Sequence, residues 1–140
     1  NGEKKPVIMG SYGIGVERII ACHIEQSRDE HGIIWNKALA PYAVHVIAIS
    51  MNNKDIVLTS NQVYQKLTEA GIETLFDDRP NVTPGFKFKD ADLLGMPLQI
   101  IVGEKGLKNH QIEIKKRKSG ERIMVGIDEA LTKIKQLLAE

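Results

Sequence analysis

The chain has one cysteine, Cys22, and four scattered histidines, His23, His31, His45 and His110. One cysteine excludes an internal disulfide and fits a reducing compartment, so a cytoplasmic location is expected. The same residues cannot assemble a standard structural zinc site, and no metal site is expected. No Ser-His-Asp or Cys-His arrangement can be argued from their spacing. No apolar run approaches the roughly 18 residues of a membrane span, so no membrane partner is expected. Charge of one sign is also lacking: 19 Lys and Arg stand against 18 Asp and Glu, a net charge of +1. Any nucleic-acid site must therefore be a local patch. The opening NGEKKPVIMG has neither an initiator methionine nor a signal-peptide core, and looks like the middle of a longer chain. Internal repeats and low-complexity segments are absent.

What remains is a soluble, charge-rich α/β pattern of one-domain length, 140 residues. Pro6 to Met9 is a short apolar run with the look of a strand. Gly10, Gly13 and Gly15 follow in a spacing that is not the GxGxxG of a dinucleotide site. Val16 to about Glu30 has helical spacing, with Val16, Ile19, Ile20 and Ile24 on one face, and His31-Gly32 as its stop. Ile33 to Pro41 is an extended connector. Val44 to Ser50 is almost continuously apolar and predicts a strand covered on both faces. Asn53 is an N-cap candidate for a helix over Asp55 to Ala70, stopped by Gly71. Ile72 to Phe76 is the next strand, and the strand–helix–strand order implies a parallel pair with a right-handed crossover.

The stretch Asp77 to Gly103 carries the most information. Asp77-Asp78-Arg79 closes a strand, and Pro80, Asn81, Pro84 and Gly85 form a turn. A short helix with Lys87, Lys89, Asp90 and Asp92 runs to Gly95 and Pro97, and Leu98 to Val102 is a buried strand. Charges gather where the strands end, the side on which open α/β sheets bind ligands. Glu104 to Asn109 is a polar loop. His110 to Lys116 and Arg122 to Val125 predict a hairpin, and Ile127, Leu131, Ile134 and Leu138 a final helix. The expected fold is α/β: a five-stranded mixed sheet with three helices over residues 41–140, preceded by a strand–helix piece over residues 1–40.

The wording DDR, then GFKFKDADLLGMP over Gly85 to Pro97, then Val102-Gly103 resembles the anticodon-binding domain of class II aminoacyl-tRNA synthetases. It is most similar to the bacterial-type prolyl enzymes. Upstream, Gly13-Ile14-Gly15-Val16-Glu17-Arg18 is similar to motif 3 of the same class. Residues 1–40 would then be the end of a catalytic domain, with Asn36 where the family's linker usually has proline. The resemblance implies a parent enzyme, a homodimer, that uses ATP and Mg²⁺ to activate proline and attach it to tRNA(Pro). Gly13 and Gly15 would leave room for adenine, and Arg18 would hold ATP. Nothing resembles motifs 1 and 2, so this chain is not expected to catalyse the reaction alone or to hold a cofactor.

For an RNA partner, bases stack on aromatic or guanidinium planes, while lysines hold phosphates. The resemblance therefore nominates Asp78, Arg79, Phe86, Lys87, Lys89, Asp90 and Lys105 as the anticodon-contacting set. Arg79, Lys87 and Lys89 would form a positive rim, with Asp78 or Asp90 on a guanine edge. Phe88 is expected to be the more buried of the two phenylalanines. The run Lys115-Lys116-Arg117-Lys118 is expected to be a solvated hairpin tip. Two other assignments fit the same domain type: a stand-alone binding module, and a related threonine, glycine or histidine enzyme. The motif 3 segment weighs against the first, and the KFKDADLLGMP wording against the second.

Overall fold

The computed structural model describes residues 2–140; Asn1, the first residue of the expected 1–40 piece, lies outside them. Five strands form one mixed sheet: β3 (Val44–Ala48), β4 (Thr74–Asp77), β5 (Leu98–Val102), β6 (Gln111–Lys116) and β7 (Arg122–Gly126). Their order is β4-β3-β5-β6-β7. Strand β3 is parallel to β4 and β5, whereas β6 and β7 continue the sheet antiparallel. This is the expected five-stranded mixed α/β sheet. The two middle parallel strands, β3 and β5, are buried at every residue.

Local chemistry sets the helices. In α2 (Lys54–Glu69) the Asn53 side chain accepts from the backbone N–H groups of Asp55 and Ile56, which would otherwise be unpaired. Its buried residues Ile56, Ser60, Val63 and Leu67 share one face. Helix α3 (Pro84–Leu94) begins with Thr83 as its cap and a proline in the first turn. It ends at Gly95, with φ +74°, where an added Cβ would lie 1.9 Å from the Ile33 carbonyl oxygen. Helix α5 (Ala130–Ala139) closes the chain. The expected polar loop after β5 contains one further helical turn, α4 (Glu104–Leu107).

The two faces of the sheet are covered unequally. Val44, Val46, Ala48, Leu98, Ile100, Val102, Ile112 and Ile114 form the main core with α2 and α5. On the opposite face α3 packs, through Ala91 and Phe88 against Ile47, Ile49 and Ile101. Alternation along β6 and β7 sends Glu113 and Met124 to this second face, opposite Ile101. Met124 stays 48% exposed.

The amino-terminal piece differs from expectation. Pro6 to Met9 is not a strand: among the described residues no strand pairs with it, and an isolated extended segment has no partner for its backbone groups. Helix α1 (Val16–Gln26) stops four residues earlier than expected and buries no side chain. A small hairpin follows, β1 (Arg28–Asp29) with β2 (Gly32–Ile33). The Asp29 carboxylate makes its turn, accepting from the N–H groups of His31 and Gly32 at 2.9 and 3.0 Å. No helix among the described residues is long and apolar enough to cross a membrane.

Candidate nucleic-acid interface

Helix α3 brings its first turn over the carboxyl ends of the parallel strands, and Lys87 shows how. Its side chain is fully buried and its ammonium donates to the carbonyls of Ala48 and Asp77, at 2.8 and 3.3 Å. The Asp77 carboxylate lies 3.5 Å away. Lys87 therefore belongs to the core and is no part of a positive rim. A sequence reading places lysine outside by default, because burial of an ammonium is costly unless it is paired.

Arg79 and Asp90 are brought together, but with each other. Arg79 bonds both carboxylate oxygens of Asp77, at 3.0 and 2.8 Å, and one of Asp90, at 2.8 Å. Burial works against ionisation of Asp77, yet the Arg79 bonds and the Lys87 charge outweigh it and hold the carboxyl below its ordinary range. The Asp77 and Asp90 bonds raise the Arg79 guanidinium further. Beside this cluster is a groove of about 330 Å³ lined by His45, Leu75, Phe76, Leu93 and Leu94. Asp78 is exposed on the following loop. Lys89 is exposed as well, in a shallow depression with Glu30, His31, Asp90 and Asp92.

Phe86 is 56% exposed in the first turn of α3, while Phe88 packs on the Ile47–Ile101 cluster, the expected order of burial. An exposed phenyl ring at a strand-end rim offers a flat apolar surface to a ligand.

Lys105 lines a different and larger cavity, of about 680 Å³. Its apolar lining includes the buried Ile101 and the half-exposed Met124. Its rim carries Glu104, Asn109, Gln111 and Glu113. Glu113 is oriented by Arg122, whose guanidinium donates to it at 2.6 Å. The cavity thus joins an apolar platform to carboxylate, amide and ammonium groups at the ends of β3 and β5. Of these residues, sequence reasoning nominated Lys105 alone. The polar positions Gln111 and Glu113, alternating with buried Ile112 and Ile114 along β6, were the available signal for a strand face without a helix over it.

The basic run of β6 is not a solvated tip. Arg117 is 5% exposed and grips Asp29 with two bonds, at 2.8 and 2.7 Å. Those bonds hold the Asp29 carboxyl well below the usual range. Lys115 bonds Asp92 at 2.6 Å, and Lys116 pairs with Glu121 and Glu140. Lys118 alone in the run is fully exposed.

Of the ATP-site candidates, Gly13 is open and Gly15 caps α1 without a side-chain bond. The Arg18 side chain lies over Gly15, where an added Cβ would meet its Cδ at 3.3 Å.

The fold and the strand-end cavity define a class. Residues 43–137 match the family model described as the anticodon binding domain, and the chain belongs to that family. The names of its relatives are more specific. It is 47% identical over 129 residues to the proline–tRNA ligase of Persephonella marina, covering 92% of this chain and 23% of that protein. The corresponding protein of Thermodesulfovibrio yellowstonii is 44% identical over 141 residues, 96% of this chain and 24% of that one. That of Geobacter sp. strain M21 is 46% identical over 140 residues, 100% and 24%. The chain thus spans about a quarter of the length of the curated relatives it matches.

Proposed function

We propose that the chain is the anticodon-recognition portion of a proline–tRNA ligase and that its RNA partner is the anticodon stem-loop of tRNA(Pro). The cavity at the ends of β3 and β5 carries this reading, because it offers what a splayed base needs. Ile101 and Met124 give it an apolar lining, and outside it the exposed ring of Phe86 at the start of α3 is a surface on which a base stacks. Glu113 and Glu104 accept from the N1 and N2 hydrogens of guanine, which proline anticodons carry at their last two positions. Lys105, Lys89 and the exposed Lys118 attract phosphates without reading sequence.

In the longer enzyme, residues 1–40 belong to the catalytic domain and residues 41–140 to the RNA-binding one. Gly13, Gly15 and Arg18 then face ATP. When bound, ATP supplies the adenylyl group that activates proline; the chain's own part is a guanidinium and a glycine-lined approach to the helix start. Among the described residues no three His, Cys, Asp or Glu side chains cluster to hold a metal ion. The parent enzyme in this reading is a cytoplasmic homodimer.

The test is binding of two labelled RNA stem-loops to the 140-residue chain, one with the proline anticodon and one with both guanines replaced. Tighter binding of the first is expected. Equal binding of both, or none, would contradict the proposal.

A further inference from the structure

Helix α3 is held at both ends. Its first turn is fixed over the strand ends by Lys87, and its last turn is gripped by the segment that leads out of α1. Trp35 makes that grip: its indole N–H donates to the Leu94 carbonyl at 2.9 Å, and its backbone N–H to the Gly95 carbonyl at 3.3 Å. The hairpin closes on the same turn. An added Cβ on Gly32 would lie 2.4 Å from the Leu93 Cα. Arg117 holds Asp29 on one side and donates through Nε to the Asp92 carbonyl at 3.0 Å.

On its other side Trp35 meets α1. Its ring stacks on His23, with centroids 5.5 Å apart and planes 25° from parallel. The next residue, Asn36, donates its backbone N–H to His23 Nε2 at 3.4 Å. The path from α3 to α1 is thus a continuous set of hydrogen bonds and one ring stack. Arg18 lies on the same helix as His23.

We propose that Trp35 is a positioning residue that ties the setting of α1, and with it Arg18, to the occupancy of the RNA-binding face through α3. The inference rests on the anticodon reading given above. It assigns Trp35 no contact with RNA, proline or ATP. The Asp29–Arg117 pair holds the hairpin that precedes Trp35 against the last turn of α3.

Trp35 is the only tryptophan of the chain, so its emission reports the grip. The 140-residue chain would be titrated with the proline-anticodon stem-loop while RNA anisotropy and tryptophan emission are followed together. The emission is expected to change with the same half-saturation as the anisotropy, and to lose that response in Asp29→Asn with RNA affinity within about 2-fold of the parent chain. Absence of RNA binding would overturn the anticodon reading and this inference with it. Normal RNA binding with unaltered Trp35 emission would overturn this inference alone.

A second arm uses the full-length ligase and compares tRNA(Pro) with a guanine-substituted tRNA. Trp35→Leu is expected to reduce the difference in kcat between the two by about 5-fold or more, the scale of a typical coupling between sites, while the KM difference persists. Trp35→Phe keeps a ring for His23 but loses the indole N–H, and should fall between. An unchanged kcat difference in folded Trp35→Leu and Trp35→Phe enzymes would overturn the proposal.

Discussion

The ammonium of Lys87 lies 3.5 Å from the carboxylate of Asp77 and also donates to the Asp77 carbonyl, with both side chains out of solvent. The pair fastens the start of α3 to the end of β4. It also places the rim of the proposed site, because Phe86 precedes Lys87 and Arg79 follows Asp77 by two residues. Replacing Lys87 leaves the buried carbonyls of Ala48 and Asp77 without their donor, while the Asp77 carboxylate keeps its two Arg79 bonds. Lys87→Met should destabilise the chain by about 1–3 kcal/mol in urea unfolding. RNA affinity, measured where the variant is folded, should stay within about 2-fold, since no phosphate can reach this side chain. Unchanged stability with weakened RNA binding would return Lys87 to the surface.

A second prediction concerns pH. His45 is 2% exposed, Nδ1 has no hydrogen-bond partner, and burial lowers its pKa from 6.5 to about 4. Between those values the unfolded chain binds a proton that the folded chain does not. The associated stability is complete above about pH 6.5 and is lost as pH falls towards 4, a change of about 3 kcal/mol for a shift of that size. Asp77 and Asp92 act lower. Their folded pKa values lie below the usual 3.8, so their contributions persist above about pH 4 and fade beneath it. His45→Gln should flatten the stability profile between pH 4 and 6.5 and leave the acid limb in place. A profile with the same slope in both proteins would exclude His45 as its source.

How much of this was legible in the residues depends on what set each feature. Strands β3 and β5 are apolar but for His45 and Gln99, and α2 and α3 carry their own caps, so these elements are dictated locally. The burial of Lys87 and Arg117 is not. Each is a long basic side chain whose partner is distant or across a turn, Ala48 and Asp77 for one and Asp29 for the other. A local pattern of charge cannot distinguish such a residue from a solvated one. Pro6 to Met9 fails for a related reason: its apolarity is real, but a strand exists only with a neighbour. The larger cavity was missed because its lining comes from three strands, through Ile101, Glu113 and Met124, which only the register of β5, β6 and β7 brings together.

The exposed ring of Phe86 and the cation of Lys105 should separate in their effects on RNA. Phe86→Ala should cost about 1–3 kcal/mol of stem-loop affinity at any salt concentration, the value of one base–aromatic stack. Lys105→Ala should weaken all stem-loops about equally and reduce the salt slope by roughly one unit or less. Lys116→Ala, whose ammonium pairs with Glu121 and Glu140, serves as the control and should change neither. A salt titration of the three variants by anisotropy checks all of these outcomes. A larger loss for Lys116→Ala than for the other two would move the site to the hairpin.

A chain starting at Pro41 should fold and melt cooperatively, because both covered faces of the sheet and all its helices lie downstream. It lacks Asp29, which leaves the buried Arg117 without its carboxylate and Leu94 without the Trp35 donor. Its melting temperature should therefore lie below that of the 140-residue chain, with Arg117→Met recovering part of the loss. Calorimetry of the three proteins decides this, and a broad, non-cooperative transition would remove the boundary near residue 40.

The most direct test of where the anticodon is held compares two single changes, Glu113→Ala and Arg79→Ala, each titrated with the proline-anticodon stem-loop and its guanine-substituted partner. Glu113 faces the larger cavity, whereas Arg79 is engaged by Asp77 and Asp90. Loss of a base-reading group should cost about 1–3 kcal/mol on the cognate RNA alone. Glu113→Ala is therefore expected to abolish most of the discrimination and Arg79→Ala to leave it near that of the parent chain. Full discrimination in Glu113→Ala together with its loss in Arg79→Ala would contradict the assignment and place the anticodon on the β4 side of α3.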